Sequence, residues 1–423
     1  MQAGQGISGS SEWRAHWTVV MPCIAGIMLC AAHGYSLGVM IGPLEREFGW
    51  TRAEISTGPL LISLIALVGA PLVGGAVDRY GPRRIALFGI LFFCGMLASL
   101  SLATSNIFLW WALWAVLGSA GMFVIPTVWT AAITSLFVAA RGTALAISLT
   151  GTSLCAAITP PLTDYLVETQ GWRGAYVGLA AIYAVIVFPL AWIFFRSTAD
   201  AKGRAQAGEA AAPPPAGYSV KEGMTSPAFI KLAAAIIVFS IALSALTTNA
   251  VPILIAQGLT TGQAASVAGV IGLGSLAGRI GGGFLLDRFN ASRVAAASVL
   301  APVAAVLILI AAPGSTGMAI VAALILGLSV GAEVDACAYL AARHFGLRSF
   351  GALFGAINGL MLFSNGLAPM IANFVYDMTH SYHIFLWATL PLCAAAAALF
   401  LAMGPYPEAE EEDVPGGVAV TVH

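Results

Sequence analysis

Four ionisable residues stand far inside long apolar stretches of the 423-residue chain: His33, Arg279, Glu333 and Asp335. Arg279, in "GLGSLAGRIGGGFLLDRF" (272–289), precedes the polar pair Asp287-Arg288 by eight residues, about 12 Å along a helix. A guanidinium so placed cannot shed its charge, and its planar fork matches a carboxylate through two parallel hydrogen bonds. Binding the carboxylate of a small organic acid is the chemistry this points to. The alternatives are an ion pair with an acid on a neighbouring helix and a side chain reaching back to a polar surface. Glu333 and Asp335 lie ten and eight residues before Arg343. Two residues apart means about 200° on a helix, so they face different surroundings, and a carboxyl group in an apolar setting is a natural proton carrier. Asp335 is the first choice for that role, Glu333 the second, and a purely structural ion pair the remaining reading. An imidazole titrates near ~6.5 when unperturbed, which makes His33 a third choice, although packing is the commoner use of a lone membrane histidine.

Around these stand weaker candidates. Tyr35 offers a hydroxyl to a carboxylate. Asn358 and Asn365, seven apart, share one stripe of a helix. Thr248 and Asn249, and Thr127 with Trp129, supply polar or aromatic groups that would orient an organic anion, Trp129 by stacking. For any single one of them glue between helices is the commoner use, and for Trp129 interior packing. Gly274, Gly278 and Gly282 form a small-xxx-small row that lets one helix pack closely on another. The six cysteines fall inside apolar runs with no CxxC and no Cys/His cluster, so neither a metal nor a cofactor is expected.

The elements that must carry these residues follow from composition. The chain is 59% hydrophobic and 9% charged, with a mean hydropathy of +0.90, which describes an all-α polytopic membrane protein. Its net charge of −1 argues against nucleic acid as a partner. Apolar runs of spanning length fall at 17–40, 54–77, 84–104, 107–136, 143–166, 173–195, 227–256, 263–286, 293–312, 317–341, 350–376 and 382–403, twelve helices in all. The first run is too long for the apolar core of a signal peptide. The expected organisation is an N-terminal segment 1–16, a six-helix bundle 17–196, a Pro-rich linker 197–226 containing "AGEAAAPPPAG", a second six-helix bundle 227–403 and an acidic tail 404–423. With both termini cytoplasmic, fourteen of the eighteen Lys and Arg fall on the inner side and only Arg46, Arg52 and Arg173 on the outer, as the positive-inside rule requires.

The two halves repeat. "GGAVDRYGPRR" (74–84) after helix 2 and "GGFLLDRFNASR" (282–293) after helix 8 share Gly-x-x-x-Asp-Arg, and Asp78 and Asp287 are 209 positions apart, close to the 207 between Arg141 and Arg348. Matched halves are the architecture of a transporter whose site lies between them. "GGAVDRYGPRR" resembles the loop 2-3 signature of the major facilitator superfamily. "REFGWTRAEIS", "RGTALAISLTGTSLCAAITPPL", "GRIGGGFLLDRF" and "GAEVDACAYLAARHFGLRSFG" together resemble bacterial members of its monocarboxylate porter branch. The resemblance implies a twelve-helix fold of two six-helix pseudo-repeats, with helices 3, 6, 9 and 12 facing lipid. It implies that Arg279 binds the substrate carboxylate, and that Gly74, Asp78, Arg79, Arg83, Asp287 and Arg288 latch the outward-open state. It also marks departures: animal members carry an aspartate where this chain has Ser275, and a lysine in helix 1 where none stands here.

The expectation is a secondary transporter, not an enzyme, moving a small organic anion by alternating access, in symport with a proton or by anion exchange. It would work as a monomer in a bacterial inner membrane, with substrate, protons and lipid as its partners. A multidrug exporter would prefer an acidic, aromatic cavity without a central cation. A receptor would be expected to carry an ordered cytoplasmic domain, and an enzyme a nucleophile-base pair, metal cluster or phosphate loop; none is legible.

Overall fold

The computed structural model describes residues 9–197, 218–345 and 349–404. Most of the expected linker and the tail from residue 405 lie outside these, as do the surroundings of Gly74 and the side chains of Asp78, Asp287 and Asp335. Among the described residues the chain is helical throughout, with no strand. The helices are α1 (Gly9–Phe48), α2 (Thr57–Tyr80), α3 (Pro82–Ser99), α4 (Ile107–Gly121, resumed over Pro126–Leu136), α5 and α6 (141–170 and 172–194), α7 (Pro227–Thr248, resumed over Ala250–Ala256), α8 (Thr261–Arg288), α9 (Ala291–Ala311), α10 (Thr316–Phe345), α11 (Phe350–Thr379) and α12 (His383–Leu401). A spanning helix meets all its backbone hydrogen bonds internally, which is why apolar runs in lipid take this form.

The ends of the helices are written in local chemistry. Gly81 adopts φ 81°, ψ 147° between α2 and α3, a conformation open to glycine, and Pro82 then starts α3 where its missing N–H is not needed. Gly171 does the same between α5 and α6 at φ 71°. Thr51 with Glu54, and Thr260 with Gln263, form reciprocal capping boxes.

Two expected helices are not continuous. In α4 a 3-10 turn over Met122–Val124 precedes Pro126, whose ring cannot follow a regular helix; the Trp129 Nε1 donates to Val124 O at 2.9 Å and satisfies a carbonyl at the break. In α7, Pro252 has no N–H to give Thr248 O, and the helix breaks at Asn249. Residues 220–225, expected as part of a structureless linker, form a helical turn because Ser219 and Glu222 make a third capping box.

Two hydrophobic clusters hold the fold, one from residues of α1–α6 and one from α7–α12 with Val39 of α1. They meet chiefly through α5 on α8, α2 on α11 and α1 on α7. At the α5–α8 seam a Cβ on Gly269 would stand 2.6 Å from Ala157 O, and one on Gly272 would overlap Ala157 and Ser153; Ser153 and Ser275 share a hydrogen bond of 2.9 Å there. Gly38 of α1 lies against Thr248 O, the carbonyl that Pro252 leaves unbonded. Near the chain's beginning, Glu12 accepts from the N–H of Ala140 (2.9 Å), Ala139 (3.0 Å) and Val138 (3.1 Å). These bonds, Ala140 first, hold its carboxyl below the ordinary value against the opposing effect of desolvation and tie the start of α1 to the turn before α5.

Candidate functional site between the two halves

Arg279 lies on α8 one turn beyond Ser275, half-buried, its backbone against Gly331 of α10. Tyr35 of α1 and Glu333 of α10 are half-buried as well, and Tyr35 interacts electrostatically with both Arg279 and Glu333. A hydroxyl of the first half thus lies within electrostatic reach of a cation and an acid of the second. Ser240 of α7 donates to Glu333 Oε1 at 2.6 Å. One turn on, Ser244 donates to Asn365 O of α11 at 2.9 Å, so α7 carries hydroxyls to both neighbours. Tyr35, Arg279 and Glu333 are thus neighbours, while Asn365 is tied to α7 through its backbone carbonyl.

Other expected site residues go elsewhere. His33 sits two residues from Tyr35, on the opposite side of α1, edge-on to Phe93 of α3 and Trp114 of α4 with ring centroids 6.0 Å away in each case. Trp129 is fully buried against Phe195, filling the space a side chain at Gly26 would need; it is packing inside the first half. Thr127, two residues away, is exposed. Thr248 is half-buried, with its carbonyl against Gly38, and Asn358 is half-buried on α11. Asn249 is fully buried and serves the break in α7, its Nδ2 donating to Ala245 O at 2.9 Å.

Of the expected latch, Arg83 donates to Trp192 O of α6 at 2.5 Å, a bond within its own half. The guanidinium of Arg79 lies 5.3 Å from the Tyr80 ring centroid and that of Arg288 4.0 Å from Phe284.

A second polar cluster, not singled out from the sequence, lies at the face opposite the termini. Asp377 of α11 accepts from the backbone N–H of Arg52 at 3.1 Å and of Ala53 at 2.8 Å. The Arg52 guanidinium pairs with Glu45 at 3.1 Å, donates to Tyr382 Oη at 3.1 Å and stacks 3.8 Å above the Tyr376 ring. Asn373 Nδ2 donates to Ser56 Oγ at 2.6 Å and to Asn249 Oδ1 at 2.8 Å, and Tyr382 Oη donates to Asn373 Oδ1 at 2.7 Å. The sequence signal was the four-residue spacing of Asn373 and Asp377, which puts both on one face of α11.

The family model of the Major Facilitator Superfamily matches residues 23–369. The chain belongs to that superfamily. Among relatives, it is 26% identical over 340 residues to an MFS transporter of Aspergillus flavus, covering 78% of this chain and 74% of the relative. It is 29% identical over 172 residues to monocarboxylate transporter 6 of Mus musculus, where the match covers 40% of this chain and 36% of the mouse protein. The match thus spans only about a third of that transporter. In fold, the chain is similar to a bacterial homologue of the human lysosomal transporter Spinster in an inward-facing, unoccupied conformation, with a TM-score of 0.64 at 17% identity, over 91% of this chain and 92% of the other. The family and the relatives it matches are transporters, not enzymes.

Proposed function

We propose that this transporter carries a small organic anion of the monocarboxylate type, with Arg279 binding the carboxylate, Tyr35 donating a hydroxyl to it and Glu333 carrying the coupled proton. What supports this reading is that Arg279 and Glu333 of the second half lie within electrostatic reach of Tyr35 of the first, with Glu333 held by the Ser240 hydroxyl. The partial likeness to mouse monocarboxylate transporter 6 supports the substrate class. An exporter of lipophilic cations would gain nothing from a guanidinium at this depth, which a membrane helix accommodates at about 2.5–3.5 kcal/mol. Asn365 and Asn358, on the same helix, orient the rest of the anion. Asp78, Arg79, Arg83, Asp287 and Arg288 act in the conformational cycle at the face of the termini and influence rate rather than substrate choice. That face is cytoplasmic by the distribution of Lys and Arg, and the membrane is the bacterial inner membrane.

Proton symport is favoured over anion exchange because an anion entering a negative-inside cell needs charge compensation. The test is uptake of labelled mono- and dicarboxylates into proteoliposomes, with and without an inward proton gradient. Gradient-driven accumulation of a monocarboxylate is expected, and failure of every carboxylate to move would end the anion reading. Glu333→Gln preserves the shape and a hydrogen bond to Ser240 but removes the titrating proton. In that variant accumulation should fall to the equilibrium level while exchange of labelled for unlabelled substrate persists. Accumulation as in the wild type would show that another group, Asp335 first, carries the proton.

A further inference from the structure

Alternating access requires each face of the protein to close in turn, and the cluster around Arg52 joins the two halves at the face opposite the termini. Of the hydrogen bonds described across the halves, Ser153 to Ser275 lies at mid-depth. The others, Asp377 to Arg52 and Ala53, Arg52 to Tyr382 and Asn373 to Ser56, are gathered in this cluster. We infer that Asp377, Asn373 and Tyr382 of the second half, closing on Arg52–Ser56 of the first, form the gate of this face, with Asp377 its principal fastening.

The partners divide in a way that suits a gate. Opening would separate α2 and its leading turn from α11, breaking the two bonds to the Asp377 carboxylate, the Arg52–Tyr382 bond, the Arg52–Tyr376 stacking and the Asn373–Ser56 bond. Bonds inside each half remain: Arg52 keeps Glu45, and Asn373 keeps Asn249 and Tyr382. No charge is left buried without an opposite charge or water, the condition that would make separation prohibitive. Asp377 is freed into water, which replaces the two backbone donors at modest net cost. The Thr51–Glu54 capping box keeps the turn Arg52–Ile55 formed on its own side, so the surface that Asp377 recognises is ready when the gate closes again. Hydrogen bonds to a carboxylate are the strong kind, which is why Asp377 is ranked above Asn373 and Tyr382.

The test needs no substrate, so its outcome is independent of what the transporter carries. Ser63→Cys, at a position buried two turns below Ser56 where α2 meets Gly366 of α11, reports opening of this face to a membrane-impermeant maleimide applied from that side. The rate is read over that of the protein with its six native cysteines alone. With Asp377→Asn, which offers an amide N–H to one of the two backbone donors, labelling should accelerate ~10-fold or more, the equivalent of about 1.4 kcal/mol in the open-to-closed balance. Tyr382→Phe, which removes only a hydroxyl, should accelerate it less but measurably, and it carries the test alone if Asp377→Asn does not reach the membrane. Labelling unchanged from the parent in the variants that fold overturns the gate.

Discussion

Arg279→Ala should abolish carboxylate uptake, and Arg279→Lys should restore only a small part of it. Truncating one partner of a desolvated, hydrogen-bonded charge pair costs about 2–5 kcal/mol, which is ~30-fold to several thousand-fold in affinity. Lysine keeps the charge but replaces a two-pronged planar donor by a compact, strongly hydrated ammonium, so it is expected to recover charge attraction without the bidentate geometry. A loss of transport is informative only if the protein still assembles, and the local structure favours that. The contact of α8 with Gly331 at this position is made by the Arg279 backbone, which the substitution leaves alone. Alanine is the best helix former, and removing a guanidinium from a membrane helix eases its insertion. Purified Arg279→Ala should therefore elute and melt like the wild type while a direct binding measurement with the transported acid shows no saturation. Normal uptake by this variant would make Arg279 a structural ion-pair partner and would remove the central support for an anion substrate.

How far such a site is legible in sequence depends on what each level of structure leaves in the residue pattern. The twelve spans could be read because apolar length alone specifies them, and the turn between α2 and α3 because Gly81-Pro82 writes its own geometry. The position of Arg279, Glu333 and Tyr35 well inside their helices was legible too, since it follows from residue count along a helix. Direction around the helix axis was not. A helix with apolar surroundings on every side carries no polar face to orient it, so the residue pattern does not say which neighbours His33 meets; Phe93 and Trp114 beside it do. For Trp129 packing is the commoner use, yet its particular fit into the space left at Gly26 is a complementarity between residues 103 positions apart, with no local trace. The Asp377 contact with Arg52 spans 325 positions and uses backbone donors, so no pairing of opposite side-chain charges could have announced it.

The glycine row was legible as a row, and the structure turns it into a sharper expectation about the helix that carries Arg279. Gly274, Gly278 and Gly282 of α8 face Leu324, Leu328 and Ala332 of α10, a constant offset of 50 positions, as two parallel helices in register require. Gly327 and Gly331 answer from α10, so backbone lies on backbone. A Cβ on Gly278 would overlap Leu328 O, and one on Gly331 would overlap Ser275 O and stand 2.5 Å from Arg279 N. These neighbours are main chain and cannot swing aside. Replacing glycine by alanine in a helix ordinarily gains roughly 0.5–1 kcal/mol; at Gly278 the sign should reverse, because overpacking costs typically 1–3 kcal/mol even where side chains can adjust. Gly281 lies on the same helix, and a methyl group there would meet nothing within 4 Å, so it should follow the ordinary rule. Melting of the purified variants would then rank Gly281→Ala at or above wild type and Gly278→Ala well below it. Gly331→Ala should damage transport beyond its effect on melting, since it displaces the turn from which Arg279 projects. Equal melting of the Gly278 and Gly281 variants would mean that α8 and α10 are free to separate, and that the position of Arg279 is set by something other than this seam.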